Sequence, residues 1–390
     1  MSNQPHIVIA GGGVAAIEAV AALRAAVGPH PRITVLAPND VLNPPPASVA
    51  APFGFGLPNP VPFAVIQRYA PFDHRPAKLV RVEADQHVVV DDHGDRLRYD
   101  ALLVAPGARS LPAVSDAITF TGPASVPAVE AALAETATLA FVLPSVSTWA
   151  LPLYELAMMA ATELRSRGRE PRVTIVTPEP VPLWMFGSEA GAAVSEHLAA
   201  RGIALRAGVR LAEVHPGWVE LDGADPVPAG RVIAMPRLVG PAIAGLPHDP
   251  SGFVPVDGHG RVPGLADVFA AGDVTTFPLK QGGLSAQQAD VAAAAIAADR
   301  GLGPAPEPWQ PVLRGLLLTG GAPLYLRAPV SLDGEPLPTT ERTVWHTPLW
   351  SPPGKVAGRY LAPLLATARP PRLASAPMED VPLRRARQNV

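Results

Sequence analysis

The stretch HIVIAGGGVAAIEAV, residues 6–20, decides how this chain is read. A short β-prone run, Ile7 to Ala10, enters three glycines and then a series of good helix formers. Gly11, Gly13 and Ala16 fall in the spacing G-x-G-x-x-A. Between a strand and a helix each has a physical task. Gly11 permits the tight turn, Gly13 lets a phosphate approach the backbone, and small Ala16 lets helix and strand pack closely. The helix start offers free N–H groups and a partial positive charge to a pyrophosphate. The spacing predicts a dinucleotide site; a tight turn that binds nothing is the plainer alternative. A second strand, RITVLAP from Arg32, follows at the distance a βαβ unit needs. Such strands often end in an acid that bonds the ribose. This one ends in Ala37 and Pro38, which leaves Asn39 or Asp40 to serve.

Composition excludes several chemistries. The chain has no cysteine, and so no disulfide, iron–sulfur cluster, Cys-ligated zinc or thiol nucleophile. Its ten histidines show no metal-ligand spacing, so no metal site is expected. Lys and Arg total 31 against 34 Asp and Glu, a balance that argues against a general nucleic-acid binder. At 390 residues and 48% hydrophobic, two or three domains with sizeable cores are expected. Aromatics are only 5%, so those cores must be built mainly from Ala, Val and Leu. The 49 prolines are scattered among apolar runs, as rigid loops of a folded protein would be. No basic segment followed by a long apolar stretch opens the chain, so no signal peptide is expected. The apolar run LAFVLPSVSTWALPLYELAMMAA is broken by Pro144, Pro152 and Glu155 and makes a poor transmembrane helix. The expectation is a cytoplasmic protein.

The chain also repeats itself. Aligning VAAIEAVAAL with LPLYELAMMA places Glu18 on Glu155, and RITVLAP from Arg32 then matches RVTIVTP from Arg172. Two βαβ units in one chain imply a two-dinucleotide architecture. In this register Gly11, Gly13 and Ala16 correspond to Thr148, Ala150 and Leu153. Thr148 and Ala150 carry Cβ atoms where backbone must approach closely. Leu153 is expected to hold helix and strand apart or to project toward the phosphate site. Ordinary nicotinamide-dinucleotide binding at the second unit is therefore expected to be impaired.

Two more segments carry a family resemblance. YDALLVAPGARSLP, from Tyr99, resembles the Y-D-x-L-x-x-A-x-G segment of flavoprotein disulfide-reductase-like enzymes, with Ala105 and Gly107 in place. GLADVFAAGDVTTFP, from Gly264, resembles their second FAD segment, in which the Asp of Gly272–Asp273 bonds the ribityl chain. Within the FAD-dependent pyridine nucleotide-disulfide oxidoreductase superfamily, the chain looks most like one branch. That branch contains sulfide:quinone oxidoreductase, flavocytochrome c sulfide dehydrogenase and type II NADH dehydrogenase. WALPLYELA resembles the A-P-Y-E-x-A segment of the sulfide enzymes, and PLKQGGLSAQQADVAA resembles their segment after the Asp. The resemblance covers residues 5 to about 300. It implies FAD as cofactor, held by Gly11, Gly13, Ala16, Asn39, Asp40, Ala105, Gly107, Gly272, Asp273, Lys280 and Gln281. One departure is decisive: without cysteines, neither sulfide oxidation by the family mechanism nor dithiol–disulfide exchange is available.

The resemblance implies an α/β fold: two Rossmann-like domains and a smaller C-terminal domain. The expected FAD domain comprises 1–110 and 241–305, the second unit 111–240, and the C-terminal domain 306–390. Lys280, or the helix start near Gly283, would stabilise negative charge on the reduced flavin. Glu155 matches the glutamate that type II NADH dehydrogenases present near the flavin ring, and would relay a proton; an ordinary helix glutamate is the alternative. Gln287 and Gln288 resemble glutamines lining a quinone pocket, or are polar surface residues. Trp345, His346, Trp350, Lys355, Arg359 and Tyr360 cluster as a cofactor lid, a homodimer contact or a packed domain. The run KVAGRYLAPLLATARPPR would form a short amphipathic helix, but peripheral membrane contact is the less favoured expectation. The leading expectation is an FAD-dependent oxidoreductase passing electrons between flavin and a small organic molecule, a quinone among the candidates. An NAD(P)H dehydrogenase with an atypical nucleotide loop, or a non-catalytic redox-sensing or structural flavoprotein, are the alternatives.

Overall fold

The computed structural model describes residues 4–43, 45–57 and 59–368. Ten strands make its two parallel sheets: β1 (His6–Ala10), β2 (Arg32–Leu36), β3 (Asp73–Arg75), β4 (Ala101–Val104), β5 (Ile118–Thr119), β6 (Thr138–Val142), β7 (Arg172–Thr177), β8 (Ala204–Ala207), β9 (Arg231–Ala234) and β10 (Val268–Ala270). The first sheet runs β10-β4-β1-β2-β3 and the second β5-β9-β6-β7-β8. Four strands correspond, β4-β1-β2-β3 with β9-β6-β7-β8, while the remaining edge strand comes last along the chain in the first sheet and first in the second. A third, antiparallel sheet follows, of β11 (Val312–Leu317), β12 (Leu324–Pro329) and β13 (Val344–Trp345). The central strands are apolar on both faces because helices or hairpins cover both sides.

The helices are α1 (Val14–Val27), α2 (Val126–Glu135), α3 (Leu151–Ser166), α4 (Gly187–Ala199), α5 (Gly282–Asp299) and α6 (Leu361–Ala368). From Ala15 to Leu23 every residue of α1 is buried. A helix apolar all round lies inside, and α1 does so by packing along α5, whose Ala292, Ala293, Ala295 and Ile296 share its core. Alanine on both surfaces brings the axes close, and this is how a chain poor in aromatics fills its core.

Two acids interrupt this alanine seam. Glu18 of α1 is fully buried, and Asp290 of α5 is hydrogen-bonded to it. Burial, and then the charge of Glu18, push Asp290 up to about 9, so at neutral pH it carries the proton the pair shares. The Glu18 carboxylate also accepts the backbone N–H groups of Tyr360 (2.7 Å) and Leu361 (2.6 Å), and so caps α6. Leu361 and Leu364 pack into the same core as α1. The apolar face that looked like a membrane contact is thus turned inward over its described part; residues 369–372 of that run lie outside the described residues. No helix among the described residues is long and apolar enough to cross a membrane.

Because the folded pKa of Asp290 lies above the ordinary carboxylate value, its native state holds a proton the unfolded chain releases. Stability from this pair is greatest below about pH 4 and declines as pH rises toward 9. Asp290→Asn keeps a donor toward Glu18 and removes the titration. Its melting temperature should exceed that of the unmodified protein at pH 9, with the gap closing toward pH 5. A constant gap across pH, followed by circular dichroism, would mean the shared proton is not there.

Candidate functional site

In the first sheet, Ala10 pairs with Leu36 on one side and with Val104 on the other, and Val104 pairs with Ala270. The segments that follow, beginning at Gly11, Ala37, Ala105 and Ala271, therefore emerge together at one carboxyl edge. From β1 the chain crosses to β2 on one side, while β4 lies on the other. That is a topological switch point, where open α/β sheets bind ligands. Gly11 and Ala105 abut there. Gly11 has φ +135°, and a Cβ on it would overlap the Ala105 carbonyl, whereas beyond Gly13 there is open space. Ala16 is buried under the turn. Gly272, at φ +82°, sits between Ala15 of α1 and Ser285 of α5, where a Cβ would come within 2.9 Å and 3.3 Å. The Gln288 side-chain oxygen holds its N–H at 2.8 Å and also accepts the Thr275 hydroxyl at 3.3 Å. Gln288 is buried and shapes the loop through its side-chain oxygen.

Asp273 is partly exposed and accepts one hydrogen bond, from the Ser285 hydroxyl at 3.0 Å. Burial raises its pKa, while the charge of Lys280 and the Ser285 bond oppose the rise. Asn39 and Asp40 are exposed at the end of β2, and Gly107 (φ +79°) has open space around it. FAD fits this arrangement: a backbone turn no side chain could share and an open approach at Gly13 suit its pyrophosphate, and an acid with acceptor capacity to spare suits a cofactor hydroxyl.

Two expected site residues are differently engaged. The Lys280 ammonium donates to the carbonyls of Thr275 and of Phe277 (2.6 Å) and lies 3.9 Å over the Phe253 ring. Burial lowers its pKa to about 8 against the charges of Asp273 and Asp249. It closes its own loop. Gln281 caps α5, accepting from Leu284 N–H at 2.8 Å and donating to the Arg314 carbonyl at 3.1 Å. No described group takes the amides of Gly282 and Gly283, the first of that helix. Gln287 grips β11 from both sides, donating to Val312 O (2.8 Å) and accepting from Val312 N (3.0 Å).

Glu155 is fully buried and already bound. Its Oε1 accepts the Leu318 N–H at 2.8 Å and the Lys355 ammonium. Lys355 also donates to the Leu316 carbonyl at 2.9 Å. Oε2 of Glu155 has no partner among the described residues. Burial raises the carboxyl pKa and lowers that of the lysine, each offset by the partner's charge. Of the lid cluster, Trp350 packs edge-on against Tyr325 at 5.5 Å and Arg359 lies over Tyr360 at 5.2 Å.

The second unit departs from the first in its loop. Three residues, 11–13, join β1 to α1, whereas eight, 143–150, join β6 to α3. Glycine turn geometry is not needed: none of the eight has positive φ, and Thr148 N–H closes a turn onto Ser145 O at 3.0 Å. Of the two expectations for Leu153, projection toward a phosphate site is not met: it lies wholly in the core. Sequence reading missed Glu179. It stands where the repeat alignment places Asn39, and it is buried at the end of β7. There it accepts the hydroxyls of Tyr154 (2.7 Å) and Thr177 (3.1 Å). Burial raises its pKa to about 7. The alignment of Arg32 with Arg172 was the signal that finds it.

Residues 154–298 match the family model described as pyridine nucleotide-disulphide oxidoreductase. Two NADH dehydrogenase-like proteins of Mycobacterium tuberculosis are each 28% identical over 222 residues, 52% of this chain and 54% of theirs. The chain thus spans about half the length of these relatives. The fold is that of the sulfide:quinone oxidoreductase of Aquifex aeolicus (TM-score 0.74, 22% identity, 87% of this chain and 86% of that one). It is also that of the ferredoxin reductase for the CYP199A2 system of Rhodopseudomonas palustris (0.65, 20%, 84% and 83%). Over part of its length the chain is therefore similar to pyridine nucleotide-disulphide oxidoreductases, and it shares the fold of these reductases.

Removing Lys355 would leave the Glu155 carboxylate buried with only an amide for company. Lys355→Met should cost about 3–5 kcal/mol in urea denaturation, and the double variant with Glu155→Gln should recover most of it. If the single and double variants are equally unstable, packing of the lysine stem matters more than the charge.

Proposed function

We propose that this protein is an FAD-dependent oxidoreductase that exchanges electrons with a small organic molecule, a quinone among the candidates, without a redox disulfide. The glycine turn at the switch point carries this reading, because Gly11 packs against Ala105 in a way only glycine allows and leaves Gly13 open. The absence of cysteine removes the dithiol route. Bound FAD supplies the redox chemistry itself; the chain orients it and sets its surroundings.

In this reading Gly11, Gly13 and Ala16 take the pyrophosphate, Asn39 or Asp40 the ribose, and Ala105, Gly107, Gly272 and Asp273 the remaining edge of the cofactor. The unclaimed amides of Gly282 and Gly283 would favour negative charge gathering beside them. Lys280 and Gln281 would hold the loop that presents those amides. Glu155 would act through its unpartnered Oε2, able to hold a proton because burial favours its neutral form. Hydride from NADH or NADPH is the less favoured source of electrons. The eight-residue loop lacks a glycine cradle, and Glu179 is turned inward to Tyr154 and Thr177. The NADH dehydrogenase-like relatives keep that second reading in play.

An anaerobic visible spectrum of the purified, FAD-supplemented protein tests both. A flavin band should be present, should persist with NADH and NADPH, and should bleach with a quinol. Gly11→Val should abolish the band. A colourless protein that cannot be reconstituted defeats the proposal, and rapid bleaching by NADH transfers it to the second reading.

A further inference from the structure

At the opposite edge of the first sheet, where β1, β4 and β10 begin, lies a cavity of about 360 Å³. That is within the range of small-molecule sites, ~300–1,000 Å³. His6, the first residue of β1, Tyr99 ahead of β4, Asp267 ahead of β10 and Arg300 after α5 line it together with His87 and Arg98. Nothing in the flavin chemistry uses them.

Two buried donor groups of the residues lining this cavity have no partner among the described residues. Tyr99 is 4% exposed, and its hydroxyl is buried without a partner among the described residues. Burial, with the charge of Asp267, pushes its pKa up to about 12, so it remains a donor at neutral pH. Arg300 Nε is likewise buried and unpartnered. Arg98 is exposed, and its guanidinium pairs with no carboxylate among the described residues. The carboxylates are engaged: Asp267 holds the other end of Arg300 and faces His87 at 3.9 Å, and Asp100 accepts the His6 N–H at 2.6 Å. His87 (φ +51°) and Asp267 (φ +58°) both adopt the left-handed backbone that side chains disfavour. Such strain persists where surrounding structure enforces it.

We infer that this cavity binds a small organic anion, a carboxylate or a phosphate monoester, whose charged group meets Arg98, Arg300 Nε and the Tyr99 hydroxyl. A buried hydroxyl and a guanidinium N–H left unpaired destabilise the fold, and one anion of this kind satisfies both. Arg98 supplies the charge at the mouth, and Asp267 holds a terminal nitrogen of Arg300 while its Nε is left without a partner among the described residues. The rings of His87 and Tyr99, 5.5 Å apart, offer flat surfaces to the body of the ligand. The inference is independent of what occupies the glycine turns.

Calorimetric titration of the flavin-supplemented full chain with citrate and with glycerol 3-phosphate, at matched ionic strength, tests it. One of the two should bind saturably with a Kd of ~1 mM or tighter, and which one does so identifies the class. Arg98→Met should weaken that binding at least about tenfold, as loss of a charge-assisted contact implies. Tyr99→Phe should weaken it several-fold while leaving the ligand-free melting temperature unchanged, and Gly11→Val should leave it intact. No saturable binding of either probe overturns the inference. So does binding that survives Arg98→Met, which would place the anion elsewhere.

Discussion

Two buried glutamates at equivalent places in the repeat hold this molecule together. Glu18 and Glu155 occupy the same helix position in the two βαβ units, and each is fully buried. A carboxylate taken out of water must be paired or hydrogen-bonded, or it destabilises the fold by several kcal/mol. Both find their partners in one strap of the C-terminal region: Lys355 meets Glu155, and the amides of Tyr360 and Leu361 meet Glu18. Between them Val356 packs beside Gly282 at the start of α5. The strap therefore touches both units and the cofactor-facing helix within seven residues. Neither unit can satisfy its glutamate alone, so the C-terminal sheet is bound into the architecture by charge as well as by packing.

Equivalence of position does not give equivalence of site. The first unit connects strand to helix by three residues, two of them at G-x-G positions, and puts its turn in contact with β4. The second takes eight residues, needs no positive φ, and buries Leu153 where the first has Ala16. The residues after the second strands diverge in the same sense: Asn39 faces solvent, while Glu179 turns inward and is bonded by two hydroxyls. One copy has kept a backbone-lined opening and the other has filled the corresponding space with side chains. This is why a dinucleotide is assigned to one edge only.

What the sequence revealed and what it concealed follow from range. Glycine spacing, strand periodicity and the repeat are local, and each was legible, down to the helix starts at Gly13 and Ala150. The partners of Glu155 lie 163 and 200 residues away, and the amides that Glu18 accepts lie more than 340 away. No spacing rule reaches that far, so a glutamate resembling a proton relay could not be recognised as a pinned one. The glutamine-rich start of α5 misled for a related reason. Polar residues on a helix suggest water or a ligand, but Gln281, Gln287 and Gln288 are each engaged with backbone, two of them with the C-terminal sheet. Lys280 is drawn back onto its own loop by the Thr275 and Phe277 carbonyls, a contact that no spacing announces.

These polar contacts limit where chemistry can occur. Once every hydrogen bond around α5 is assigned, Gln281, Gln287, Gln288 and Lys280 are engaged in positioning. Groups with capacity left include the Gly282 and Gly283 amides, the Gln288 side-chain nitrogen, Asp273 with one donor, and Oε2 of Glu155 with none. They belong to the two ends of a path from the first glycine edge to the C-terminal strap. A redox centre placed along it would meet a helix start that favours negative charge and a buried acid that favours a proton. Electron uptake and proton uptake would then be supported from different elements, and the strap, by fixing Glu18 and Glu155 together, would hold those elements in register.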